Sequence, residues 1–261
     1  MHRIVLRTGF LWMALAAVLS SFAHAAQAQG SVAQAQGAAA PVAHPLDDYW
    51  KKHDEQLRTD FGGLTTFKEA DLALAPPAPG EDRVVFMGDS ITEGWKIADS
   101  FPGKPYINRG ISGQTTPQML VRFRQDVIAL KPKVVVILAG VNDIAGNTGP
   151  MTLEQTEDNL ASMAELAAAN HIRVVLCSVL PAFDFPWKPG VTPAPKVLAL
   201  NAWIKAYAAE HGHVYVDYHT AMKDSRDGLP AALSHDGVHP LPAGYAVMAP
   251  LVEAGIEKAL K

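Results

Sequence analysis

Gly88-Asp89-Ser90 follows directly on the apolar run Val84-Val85-Phe86-Met87. A short apolar run bounded by turn residues reads as a buried strand. Open α/β sheets place their ligands at the carboxyl ends of such strands, so Ser90 is a candidate nucleophile. Standing alone, the tripeptide reads first as a turn with a helix cap. A hydroxyl becomes a useful nucleophile when a base takes its proton, and a carboxylate beside the base holds the required tautomer. Ser234-His235-Asp236-Gly237-Val238-His239-Pro240, near the C-terminus, supplies imidazole and carboxylate side chains in one short loop. His235 and His239 stand four apart, a spacing that pairs metal ligands on a helix, but Gly237 and Pro240 oppose a helix there. No metal or other cofactor is expected.

The elements that must bring these groups together show as an alternation. Strands are expected at 83–88, 106–108, 134–138, 172–177 and 214–216. Leu120, Phe123, Val127 and Leu130 recur at helical spacing after a Thr116 cap and Pro117. Thr152-Leu153-Glu154-Gln155 has capping-box spacing and heads a helix that ends near Asn170. Val197, Leu200, Ile204 and Tyr207 mark a helix stopped by Gly212, and Pro242 opens the last helix. Such alternation implies an α/β fold: a parallel sheet of about five strands in a three-layer α/β/α sandwich. The strand ends then carry Gly88-Asp89-Ser90, Asn108-Arg109-Gly110-Ile111-Ser112-Gly113-Gln114, Ala139-Gly140-Val141-Asn142-Asp143 and Ser178-Val179-Leu180-Pro181.

Gly-Asp-Ser after the first strand, Gly after the second, Gly-x-Asn-Asp after the third and Asp-x-x-His-Pro before the last helix resemble the SGNH (GDSL-type) hydrolase family. The match runs over residues 82–260. The resemblance implies a flavodoxin-like sheet and ester hydrolysis, in the acetylesterase-like or lysophospholipase-like branch. Carried over residue by residue, it implies Ser90 as nucleophile, His239 as base and Asp236 as the triad acid. It also implies an oxyanion hole made by the Ser90 and Gly110 backbone N–H groups and the Asn142 side-chain amide. Glycine lets the backbone come close to substrate, and a carboxamide donates N–H without adding charge. Asp89 and Asp143 read as loop-bracing groups. The expected substrate is a short-chain acyl ester, acetyl foremost, on a small molecule or a glycan. Lysophospholipase or thioesterase activity is the alternative, and a non-catalytic glycan-binding protein on the same fold is the alternative of another class. In the Pro-rich loop 181–196, Phe183, Phe185 and Trp187 are candidate substrate-wall residues, with fastening of the loop to the domain as the competing role.

Composition sets the outer limits. The 261-residue chain has a net charge of −4 and no Lys/Arg cluster, which excludes nucleic acid as a general partner. Arg3, Arg7, an apolar stretch over 9–22 and Ala23-His24-Ala25 read as a signal peptide over 1–25, cleaved between 25 and 28. The protein is then expected in the periplasm or secreted, without stable membrane insertion. Residues 26–45 read as low-complexity linker, 46–80 as an N-terminal helical extension, and 81–261 as the hydrolase domain. Cys177 is the only cysteine and lies in an apolar run, as a small core residue would.

Overall fold

The structure, a computed structural model, describes residues 47–261. The expected signal peptide and linker lie outside the described residues. Two helices come first, α1 (Asp47–Thr59) and α2 (Lys68–Ala73), followed by β1 (Val84–Gly88), α3 (Ser90–Glu93), α4 (Ile97–Ser100) and β2 (Tyr106–Gly110). The middle of the chain forms α5 (Thr116–Asp126), β3 (Val134–Leu138), α6 (Val141–Ala145), α7 (Leu153–Ala169) and β4 (Arg173–Cys177). It closes with α8 (Pro193–Glu210), β5 (Val214–Val216), α9 (Tyr218–Met222) and α10 (Pro242–Leu260).

All strand pairs are parallel, in the order β2-β1-β3-β4-β5. Runs such as Val134-Val135-Val136-Ile137-Leu138 are apolar on both faces because helices cover both faces, and every residue of β1 and β3 is buried. The α5, α7 and α8 helices pack side by side, while α10 crosses β3, β4 and β5. Phe86, Trp95, Phe101 and Tyr106 form an aromatic cluster, with Tyr245 of α10 stacked on Trp95. Cys177 is fully buried, and burial pushes its thiol up to about 12, so it is inert core.

Some boundaries move for local reasons. The second strand runs on through Arg109 and Gly110, which pair with Met87 and Gly88. The α5 cap is Thr115 rather than Thr116. Gln118 accepts the Thr115 N–H at 3.0 Å, while the Thr116 N–H and hydroxyl are drawn to the Asp143 carboxylate at 3.1 and 2.5 Å. The chain reverses between β1 and β3, on opposite sides of which the connections turn away. Such switch points open a crevice at the carboxyl edge of a parallel sheet.

Residues 47–80 belong to the same compact unit as the sheet. Gln114, Gln118 and Gln125 donate side-chain N–H to the carbonyls of Gly62, Phe61 and Leu64 at 2.9, 2.8 and 2.8 Å. Asp71 of α2 pairs with Arg109 at the end of β2, and the Arg109 guanidinium lies 4.6 Å from the Phe67 ring centre.

Candidate active site

Ser90 opens α3 immediately after β1, and the preceding residue sets its position. Asp89 is the N-cap: its Oδ1 accepts the Ile91 N–H at 2.9 Å. The base arrives from the 234–240 loop. His239 Nδ1 lies 2.6 Å from Asp236 Oδ2, so its proton is held there, and Nε2 accepts the Ser90 hydroxyl at 2.9 Å. Asp236 is itself pinned. Its Oδ1 accepts from Ser234 Oγ at 3.0 Å, the Val238 N–H at 2.9 Å and the His239 N–H at 2.8 Å. The loop is closed at its base, where Leu241 N–H donates to Leu233 C=O at 2.7 Å. Ser90, His239 and Asp236 thus meet in one hydrogen-bonded line although 149 residues separate the first pair.

The expected oxyanion donors do not all face this line. Ser90 N–H sits at the first position of α3, where a helix offers no internal acceptor. Asn142 is the second residue of α6, which follows β3; its Nδ2 donates to Gln114 C=O at 3.0 Å, and its Oδ1 is held by Asn147 at 2.9 Å. That leaves one amide hydrogen of Asn142 for a ligand. The Gly110 N–H donates to Asn108 Oδ1 at 2.8 Å, and Gly110 does not border the cavity. It is glycine because a Cβ there would lie 2.1 Å from the Glu93 nitrogen. Three residues on, Gly113 does border the cavity, with φ +78° and an N–H that makes no hydrogen bond among the described residues. A Cβ on Gly113 would come within 2.7 Å of Tyr49 Oη.

The cavity above Ser90 holds about 480 Å³. Ser112, Gly113, Asn142 and Asn147 give it polar lining, and Tyr49 and Trp50 of α1 and Pro186 and Trp187 of the loop after β4 give it apolar lining. Of the three loop aromatics, Trp187 alone takes the expected wall position, 6.1 Å from the His239 ring centre. Phe185 is fully buried and stacks on Trp187 at 5.0 Å, so it fastens the loop. Phe183 points away from the cavity, with the Arg226 guanidinium 4.8 Å from its ring centre.

Comparison with known proteins places the chain in a family. A model of the GDSL-like lipase/acylhydrolase family matches residues 86–247. The chain belongs to that family. Its fold is shared with a GDSL-like lipase from Bacteroides thetaiotaomicron, 48% identical with a TM-score of 0.74, covering 77% of this chain and 100% of that one. An acetylxylan esterase from Xylanibacter ruminicola is 29% identical over 248 residues, 80% of this chain and 48% of that protein. The chain thus spans about half the length of that relative. An acetylxylan esterase from Geobacillus stearothermophilus is 30% identical over 151 residues, covering 55% of this chain and 68% of that protein.

The electrostatics of this GDSL-like site separate its carboxylates. Burial alone would raise the Asp236 carboxyl, but hydrogen bonds from the His239 ring and backbone and from Val238 outweigh it and hold it well below the usual carboxylate range. The hydrogen bond to Asp236 in turn raises His239 above its ordinary value, against the opposing pull of burial. Asp89 and Asp143 behave differently: burial lifts them to about 7 and about 6. Both brace loops, Asp89 at the α3 cap and Asp143 at the α5 start.

Three contributors escape a sequence reading. Tyr49 and Trp50 lie outside every family motif, in the helical extension expected over 46–80, and no motif connects that extension with the site. Arg122 sits fully buried under the site. It donates to Gly88 C=O at 3.0 Å, Arg109 C=O at 2.9 Å, Gln114 Oε1 at 2.6 Å and Asp126 Oδ2 at 2.9 Å. It thereby fixes the ends of β1 and β2 against each other. Nothing about an arginine on a helix announces that role before the fold is known.

Proposed function

We propose that the protein is an exported ester hydrolase that removes short acyl groups, acetyl foremost, by a serine mechanism. The observation that carries the reading is the line Ser90 Oγ, His239 Nε2, His239 Nδ1, Asp236 Oδ2 ending at an open cavity. As Ser90 Oγ attacks the acyl carbonyl, His239 takes its proton, and ionised Asp236 stabilises the imidazolium. The Ser90 and Gly113 N–H groups and Asn142 Nδ2 face the developing oxyanion, with Gly113 taking the part first expected of Gly110. His239 returns the proton to the leaving alcohol oxygen. Water, deprotonated by the same base, then frees the acid and restores Ser90. No step needs a metal.

Two relatives bearing the name acetylxylan esterase support acetyl as the acyl group and a glycan as its carrier. Export rests on the leader-like residues 1–25, and no described helix is long and apolar enough to cross a membrane. The test is a panel of ethyl acetate, ethyl butyrate, ethyl octanoate and lysophosphatidylcholine. The acetate is expected to give the highest kcat/KM among the ethyl esters. A preference for lysophosphatidylcholine would move the reading to lysophospholipase, and no turnover of any ester would leave a glycan-binding protein.

A further inference from the structure

The family model begins at residue 86, yet one side of the cavity is built by residues before it. Tyr49 and Trp50 are adjacent on α1, their rings edge to face at 5.1 Å, and His53 one turn later backs both, 6.2 Å from Tyr49 and 5.3 Å from Trp50. Adjacent helical residues normally diverge by about 100° around the axis, so this pair covers a broad arc rather than a single point. Trp187 borders the same cavity beside His239, 6.1 Å between ring centres, and is stacked on buried Phe185, whereas Tyr49 borders it beside Gly113. Both walls are tethered to the fold. The segment after α1 is held by the three glutamine–carbonyl bonds at Phe61, Gly62 and Leu64, and by Asp60, which accepts from the Leu64 and Thr65 N–H groups at 2.8 and 2.9 Å. The cavity also carries polar groups: the Ser112 hydroxyl, whose O–H is donated to the Glu93 carboxylate so that only its oxygen is left to accept, and Asn147, whose Nδ2 is spent on Gly113 C=O and Asn142 while its Oδ1 accepts no hydrogen bond among the described residues.

We propose that Tyr49 and Trp50 on one side and Trp187 on the other form an aromatic clamp for the pyranose ring of an acetylated carbohydrate, with the acetyl carbonyl over Ser90. This rests on the ester-hydrolase reading and adds the site for the leaving alcohol. A sugar ring has apolar C–H faces and a rim of hydroxyls. Aromatic rings meet the faces, and Asn147 Oδ1 and Ser112 meet the rim. A long acyl chain fits this lining badly, because it would strip water from Asn147 and Ser112 and return no hydrogen bond. The Tyr49 hydroxyl stays protonated because burial, and then the charges of Glu93 and Asp89, raise it, so it remains a donor.

The experiment measures kcat/KM on an O-acetylated xylo-oligosaccharide, on ethyl acetate and on ethyl octanoate, together with calorimetric binding of unesterified xylotetraose. Trp50→Ala is expected to lower the ratio of sugar-ester to ethyl-acetate kcat/KM at least 10-fold, Tyr49→Ala less, and Trp50→Phe to recover most of it. Xylotetraose binding should weaken in the same order. If Trp50→Ala does not fold, Tyr49→Ala and Trp50→Phe carry the test, with melting curves as the check. A ratio that stays constant in the folded variants overturns the clamp, as does a loss falling mainly on ethyl octanoate. Xylotetraose binding without hydrolysis of any ester would remove the hydrolase reading and keep the clamp. Ethyl acetate turnover without sugar binding would do the reverse.

Discussion

The two sides of the cavity are built by opposite strategies. One side is made of strand ends and the 234–240 loop, and its two carboxylates nearest Ser90 and His239 are held by neighbours a few residues away, Asp89 by Ile91 and Asp236 by Val238 and His239. The other side is made of α1 and the loop after β4. Its residues are held by contacts across the fold, from Gln114 to Gly62 and from Phe185 to the core. Local bracing gives positional precision where bonds are made and broken. Long-range packing gives shape, which serves selection among substrates and leaves the chemistry alone. Changes on the first side are therefore expected to act on kcat, and changes on the second on substrate preference.

The largest break in this contrast is His239→Ala. It should cost about 10⁴–10⁶-fold in kcat, because nucleophile and base act as a unit; a loss under 10²-fold would mean another base serves Ser90. Asn142→Ala comes next, with an expected fall of about 10²–10³ in kcat for one oxyanion donor. An effect on KM alone would take Asn142 out of that role.

Two glycines sharpen the same boundary. Gly110→Ala drives a Cβ to 2.1 Å from the Glu93 backbone, so its expected effect is on stability, about 1–3 kcal/mol, read as a lower Tm. Gly113→Ala strains a φ of +78° at the cavity edge and should lower kcat by about 10-fold or more. The opposite pattern would return Gly110 to the oxyanion hole.

The smallest effect is a titration. The base must be neutral to act, so kcat/KM should rise with pH as His239 loses its proton. Asp236 raises that group, so the midpoint of the limb should lie above the ordinary histidine value of 6.5. A midpoint at or below it would mean that the ion pair with Asp236 is not made in solution.

Much of the locally braced side was legible in the residues themselves. Gly-Asp-Ser, Gly-x-Asn-Asp and Asp-x-x-His-Pro each encode a short turn together with its chemistry, and the buried valine runs encode the strands that align them. Gly110 and Gly113, three apart, both suit a close backbone approach, and the residues alone do not tell them apart; the Asn108 hydrogen bond to Gly110 does. Phe183, Phe185 and Trp187 have the same chemical character, and their roles diverge only when the loop folds over the core. Tyr49 and Trp50 were hidden for a different reason: their place at the cavity depends on glutamine tethers to α5 and its approach that no periodicity reveals.

The central claim is that Ser90 is a nucleophile activated by His239. Its most direct test is covalent trapping with an organophosphonate fluoride followed by peptide mass mapping. A single adduct on Ser90 is expected, formed far more slowly in His239→Ala. An adduct on Ser112 or Ser178, or intact esterase activity in protein whose Ser90 is fully labelled, would contradict the account.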